Sequence, residues 1–198
     1  MKRIFLFLLI LSVAAFAGDM KSLKVGDKAP SFALKNYDGK DFTLEKLLKE
    51  NKYTVLMWIS TECPVSNAYN ERMVKLYDAY AGKSIAFVGM NSNKAEKVSD
   101  IEKHSKEKGF KFPVLKDDMN KIADLYSAQV TPEVFVLDLK GSIVYHGRID
   151  DSKNAEKVEK KDLAAALDAL LAGKKIENAE TKAFGCTVKR VEKPQLSE

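Results

Sequence analysis

Trp58–Glu71 reads WISTECPVSNAYNE, and the fold turns on its middle. Before it runs Tyr53–Ile59 (YTVLMWI), a nearly continuous apolar stretch that suits a strand buried on both faces. After a short polar loop, Pro64–Tyr80 carries Val65, Ala68, Tyr69, Met73, Leu76, Tyr77 and Tyr80 at helical spacing. Cys63 stands at the switch from strand to helix. Pro64 fits the first helical position, because its missing N–H has no partner to lose there.

Outward from this switch the elements alternate. Upstream, Ser31–Leu34 and Asp41–Thr43 read as two short strands joined by Asp38-Gly39, a hairpin signal, and Leu44–Glu50 as a short helix. Downstream, Ile85–Met90 is a second buried strand and Ala95–Lys108 a charged helix ended by Gly109. Phe112–Leu115 follows as a strand and Asn120–Tyr126 as a helix. Glu133–Leu137 and Ile143–Arg148 form a hairpin around Lys140-Gly141. Lys161–Leu171 is a patterned helix stopped by Gly173, and 174–198 is a polar tail with an apolar island at Ala183–Val188. The order predicts an α/β domain, a central mixed sheet flanked by helices and closed by an antiparallel hairpin.

Lys2 and Arg3 precede an apolar run from Ile4 to Phe16, and Ala15-Phe16-Ala17 offers small residues at a cleavage site. The run is short for a membrane span, so residues 1–17 are expected to be a signal peptide and 18–198 a single exported domain, periplasmic or extracellular. A retained anchor is the alternative; with cleavage no membrane contact is expected. Loss of Lys2 and Arg3 takes the formal charge from +5 to +3, and the remaining lysines are interleaved with acids. That surface gives no reason to expect nucleic acid.

The chain has two cysteines, and export places both where disulfides persist. Cys63 is predicted to lie by the free N–H groups at a helix start, which favour thiolate over thiol. Ser60, Thr61 and Ser66 are candidate hydroxyl donors to its sulfur. No C-x-x-C is present, because Ser66 stands where a second cysteine would. The other thiol is Cys186, beside Gly185 on a tail able to fold back. A Cys63–Cys186 bond could open and close in use, or could clasp a long loop at a gain on the order of 5 kcal/mol. Thr131-Pro132 precedes an apolar strand, marking either an edge or a special bend, with a cis bond open at that point.

The lead-in KVGDKAPSFAL, the segment around Cys63, VGMNSN (Val88–Asn93), TPEVFVLDLKGSIVYHGRIDD (Thr131–Asp151) and FGCTVK together resemble the thioredoxin-like redoxins, in particular a peroxiredoxin-like bacterial subgroup of the alkyl hydroperoxide reductase and thiol-specific antioxidant type. The resemblance implies a thioredoxin fold, Cys63 as nucleophile, a cis Pro132 packed against it, and Cys186 as the subgroup's C-terminal cysteine. Two departures stand against peroxidase chemistry. Leu56 occupies the place of a peroxiredoxin proline, and Thr131-Pro132 that of an arginine. Arg148 is the candidate replacement, its rival role being a pair with Asp150 or Asp151.

Three functions remain open at this point: disulfide exchange with protein substrates and an external thiol reductant, reduction of hydroperoxides, and a binding module braced by its disulfide. His104 is expected on a solvated helix face, and His146 on either face of its strand. Asp117-Asp118 and Asp150-Asp151 read as loop carboxylates. Neither a Cys/His cluster nor a Gly-rich phosphate loop is present, so no metal or other cofactor is expected.

Overall fold

The computed structural model describes residues 23–192, so the expected leader at 1–17 and the end of the tail at 193–198 lie outside the described residues. Among the described residues no helix is long and apolar enough to cross a membrane.

The apolar run forms β3 (Tyr53–Trp58), which lies between a parallel β4 (Ile85–Asn91) and an antiparallel β7 (Glu133–Asp138). Outside β4 comes a parallel β5 (Val114–Lys116), and then the hairpin of β1 (Ala33–Asn36) and β2 (Asp41–Thr43). On the other side β8 (Ile143–Gly147) pairs antiparallel with β7. The order is β2-β1-β5-β4-β3-β7-β8. Alternation along β3 sends Val55 and Met57 into one apolar cluster and Leu56 and Trp58 into the other, as a strand covered on both faces requires. Helices α3 (Asn70–Tyr80), α4 (Val98–Lys108) and α6 (Asp162–Leu171) cover the first face; α1 (Leu44–Glu50) and α5 (Lys121–Leu125) cover the second. This is a thioredoxin-like fold.

Four of the expected elements differ from the sequence reading by more than one residue. The helix expected over Pro64–Tyr80 is broken: α2 is one turn, Pro64–Asn67, and α3 starts at Asn70. At the junction the Tyr69 N–H reaches the Ser66 carbonyl, three residues back instead of four, while the Tyr69 ring is seated in the core. Helix α4 begins at Val98, not Ala95, because Glu96 is drawn inward to other partners. Strand β5 begins after Pro113, which has no N–H for a ladder. Strand β1 starts at Ala33, two residues later than expected.

The tail folds back. Its strand β9 (Cys186–Thr187) pairs antiparallel with β6 (Val130–Thr131), a two-residue segment just ahead of Pro132. Pro132 marks a bend between β6 and β7, not a sheet edge, since β7 has neighbours on both sides.

Candidate active site

Strand β3 delivers the chain to the loop at 59–62, and Cys63 then caps α2. Cys63 and Cys186 are joined by a disulfide whose Cα atoms lie 5.9 Å apart, within the usual span for such bonds. The backbone N–H of Ser66 donates to the Cys63 sulfur at 3.3 Å, and the Thr131 carbonyl oxygen lies 3.4 Å from the same sulfur. Cys63 is 5% exposed, whereas Cys186 is half-buried. With α2 only one turn long, the positive potential at the sulfur comes from the local N–H groups of that turn rather than from a long helix.

The loop hydroxyls build the turn and do not donate to the sulfur. Ser60 Oγ accepts the N–H of Cys63 at 2.9 Å and of Glu62 at 3.2 Å. Ser66 Oγ accepts the Ser60 N–H at 3.1 Å, and the Asn67 amide donates to the Thr61 carbonyl at 2.8 Å. The hydroxyls of Ser60 and Thr61 both donate to the carboxylate of Glu96. Burial pushes the Glu96 carboxyl upward, but hydrogen bonds from Ser60, Thr61 and Asn91 prevail and hold it below the ordinary carboxylate range. A single-stretch reading misses Glu96, because it sits among lysines in what looks like a solvated helix.

On the facing side the Thr131–Pro132 bond is cis. Thr131 stands opposite Cys186 in the β6–β9 pair, and its buried hydroxyl has no hydrogen-bond partner among the described residues. The bend is braced by Glu133, whose carboxylate accepts the N–H groups of Gln129 at 2.7 Å and Val130 at 3.1 Å. Its other oxygen meets His146 Nε2 at 2.7 Å, and the imidazole stacks on Phe135. His146 is thereby placed as a structural partner of this bend.

Arg148 is not brought to the sulfur. Its Nε donates to Asp162 at 2.7 Å, at the start of α6, and not to Asp150 or Asp151. Asp150 is the partner of Arg72, at 2.7 and 2.5 Å. Asp151 accepts the Glu159 N–H at 3.0 Å. Asp117 departs from the loop reading: it is buried and receives the N–H groups of Ile122 and Ala123 at the start of α5. His104 departs too, being half-buried, in contact with Asn70 at 3.2 Å and packed edge-on against Phe110.

Residues 25–146 match the AhpC/TSA family. The thiol-disulfide oxidoreductase ResA of Bacillus cereus is 27% identical over 129 residues, 65% of this chain and 72% of that protein. A hypothetical protein of Sinorhizobium meliloti 1021 superposes with a TM-score of 0.80 at 33% identity, covering 86% of this chain and 97% of its own. An uncharacterized conserved protein of Geobacillus kaustophilus does so with a TM-score of 0.80 at 34% identity, covering 87% of this chain and 94% of its own.

Proposed function

The chain belongs to the AhpC/TSA family, and from that premise we propose that it is an exported thiol–disulfide oxidoreductase, with Cys63 as nucleophile and Cys186 as resolving cysteine. The observation that carries the reading is the Cys63 sulfur itself. It caps α2, accepts the Ser66 N–H at 3.3 Å, and is bonded to the chain's other cysteine. That N–H stabilises the thiolate more than the thiol. Relatedness to a protein named thiol-disulfide oxidoreductase ResA supports the same reading.

In the reduced protein the Cys63 thiolate attacks one sulfur of a substrate disulfide. An S–S bond forms between Cys63 and the substrate, and the other substrate sulfur leaves as a thiolate and takes a proton. The Cys186 thiolate then attacks the Cys63 sulfur, expelling the second substrate thiolate. Two electrons have passed from the protein dithiol to the substrate, and the Cys63–Cys186 disulfide remains. An external thiol then attacks at Cys186, the less buried of the two residues, releasing the Cys63 thiolate. A second external thiol attacks that mixed disulfide, freeing Cys186 and leaving the reductant oxidised to its disulfide.

The peroxidase alternative asks for a guanidinium near the sulfur to polarise the peroxide. Among the described residues the arginines are committed elsewhere: Arg72 to Asp150, Arg148 to Asp162 and Arg190 to Asp124. Export rests on the charged and apolar start of the chain, and residues 18–198 would then be the single working domain.

The test is to incubate reduced wild type, Cys63→Ser and Cys186→Ser with a model protein disulfide. Wild type is expected to reduce it, Cys63→Ser to do nothing, and Cys186→Ser to accumulate a mixed disulfide at residue 63. Consumption of hydrogen peroxide in place of disulfide reduction would favour the peroxidase. Neither activity, with a bond that resists mild reductant, would leave a structural brace. N-terminal sequencing of the exported protein, expected to begin at Gly18, tests the leader.

A further inference from the structure

Exchange as proposed above needs two distant segments to meet, and one carboxylate is bonded toward both. Glu96 is only 2% exposed. Its Oε1 accepts from Ser60 Oγ at 2.5 Å and from Asn93 Nδ2 at 2.6 Å. Its Oε2 accepts from the Thr61 N–H at 2.7 Å, Thr61 Oγ1 at 2.8 Å and Asn91 Nδ2 at 2.5 Å. A buried carboxylate is costly unless its lone pairs are met, and here they are met by donors that all lie at this site.

Toward the nucleophile, the chain of contacts is short. Ser60, which donates to Glu96, accepts the Cys63 N–H at 2.9 Å. Toward the tail it is equally short. Asn93, which also donates to Glu96, turns its Oδ1 to the Lys189 N–H at 2.7 Å, and the neighbouring Lys94 N–H meets the Lys189 carbonyl at 2.9 Å. Lys189 lies just past β9, so its position sets that of Cys186. From β5, the Lys116 ammonium donates to the backbone carbonyl of Asn93 at 2.6 Å and holds the backbone at that residue in place.

We propose that Glu96 is a positioning residue that holds Cys63 and Cys186 in register, tying the nucleophile's turn through Ser60 and the resolving tail through Asn93. The proposal rests on the exchange reading, in which both sulfurs take part. Two groups held at bonding geometry react as if at high effective concentration, so this network favours ring closure over mixed disulfides. Glutamine at 96 would keep the volume but present one acceptor oxygen, leaving donors facing its amide.

The test uses the full chain carrying Glu96→Gln or Asn93→Ala, equilibrated in glutathione buffers of set ratio, with thiols counted by mass tagging. Glu96→Gln is expected to lower the equilibrium constant for the Cys63–Cys186 bond about tenfold, the loss expected from breaking charge-assisted hydrogen bonds. Asn93→Ala cuts the link to the tail and is expected to lower it about threefold. A second readout separates positioning from simple charge. In a Cys186→Ser background, losing a nearby negative charge would by itself lower the pKa of Cys63, whereas loosening its turn raises it. Equilibria within about twofold of wild type, or a lowered Cys63 value in Glu96→Gln, overturn the proposal. Melting of the reduced forms verifies folding; if Glu96→Gln does not fold, Asn93→Ala decides on the equilibrium alone. A wild type unable to reduce protein disulfides defeats the exchange reading; an active wild type with unmoved variants defeats this one.

Discussion

Thr131 stands directly opposite Cys186 in the register of β6 and β9, and its carbonyl oxygen lies 3.4 Å from the sulfur of Cys63. One residue thus touches both halves of the disulfide. The tail reaches this position only because Gly185, next to Cys186, lets its backbone lie against the Thr131 carbonyl.

A side chain at 185 has no room. A Cβ built there would run into the Thr131 carbonyl oxygen and carbon, which are backbone atoms and cannot swing aside. Gly185→Ala is therefore expected to push β9 off β6 and slow closure of the Cys63–Cys186 bond about tenfold, since misplaced reacting groups lose their effective concentration. Thiol counts over time after adding oxidised glutathione would show it. Closure at the wild-type rate would contradict this account of the tail.

Acid should weaken the fold in two stages. Burial, with the nearby charge of Lys108, holds the His104 ring below its ordinary 6.5, against the opposing pull of Glu96 and Glu107. The unfolded chain binds that proton more readily, so stability starts to fall as pH drops below 6.5 and stops falling once the folded ring is protonated. Glu96 acts lower. Its carboxyl is held below the ordinary 4.5, so its contribution is complete above 4.5 and is lost as pH falls through the folded value. Urea midpoints measured from about pH 7 to pH 3 should show both limbs, with Glu96→Gln flattening the lower one. A Glu96→Gln curve parallel to wild type below 4.5 would contradict the assignment.

The junction between α2 and α3 should depend on Arg72. Its guanidinium bonds both Asp150 oxygens and the carbonyls of Ala68, Ser152 and Lys153, and it lies over the Tyr69 ring. Asp150 is only 5% exposed at its side chain, so removing the arginine leaves a buried charge unpaired. Arg72→Ala is expected to cost about 3–5 kcal/mol in unfolding free energy. Lys75→Ala, which breaks the exposed pair with Glu71, should leave the unfolding free energy nearly unchanged, because solvent screens that pair. Equal effects from the two variants would overturn the distinction.

Much of the fold was legible in local patterns. The unbroken apolar run at Tyr53–Ile59 meant burial on both faces, and Val55 and Leu56 do face opposite cores. Asp38-Gly39 announced the hairpin, with Gly39 at positive φ. Cys63 before Pro64 marked the switch from strand to helix, and the tail could be foreseen to return because Cys186 was the other thiol. What could not be read depends on partners far apart in the chain. Glu96 looks solvated until residues 60–61 and 91–93 converge on it. Arg148 has Asp150 and Asp151 as its near neighbours in sequence, and only the fold selects Asp162. The break at Tyr69 is set by seating its ring in the core, which the helical spacing of Pro64–Tyr80 conceals.

The reactivity of the Cys63 sulfur is the claim on which the function depends. In a reduced Cys186→Ser protein, the rate of alkylation at residue 63 should be followed against pH. Stabilisation of the thiolate by the Ser66 N–H predicts a half-point below the ordinary thiol value of about 8.5. A half-point at or above that value, or a thiol that alkylates only on unfolding, would contradict the account.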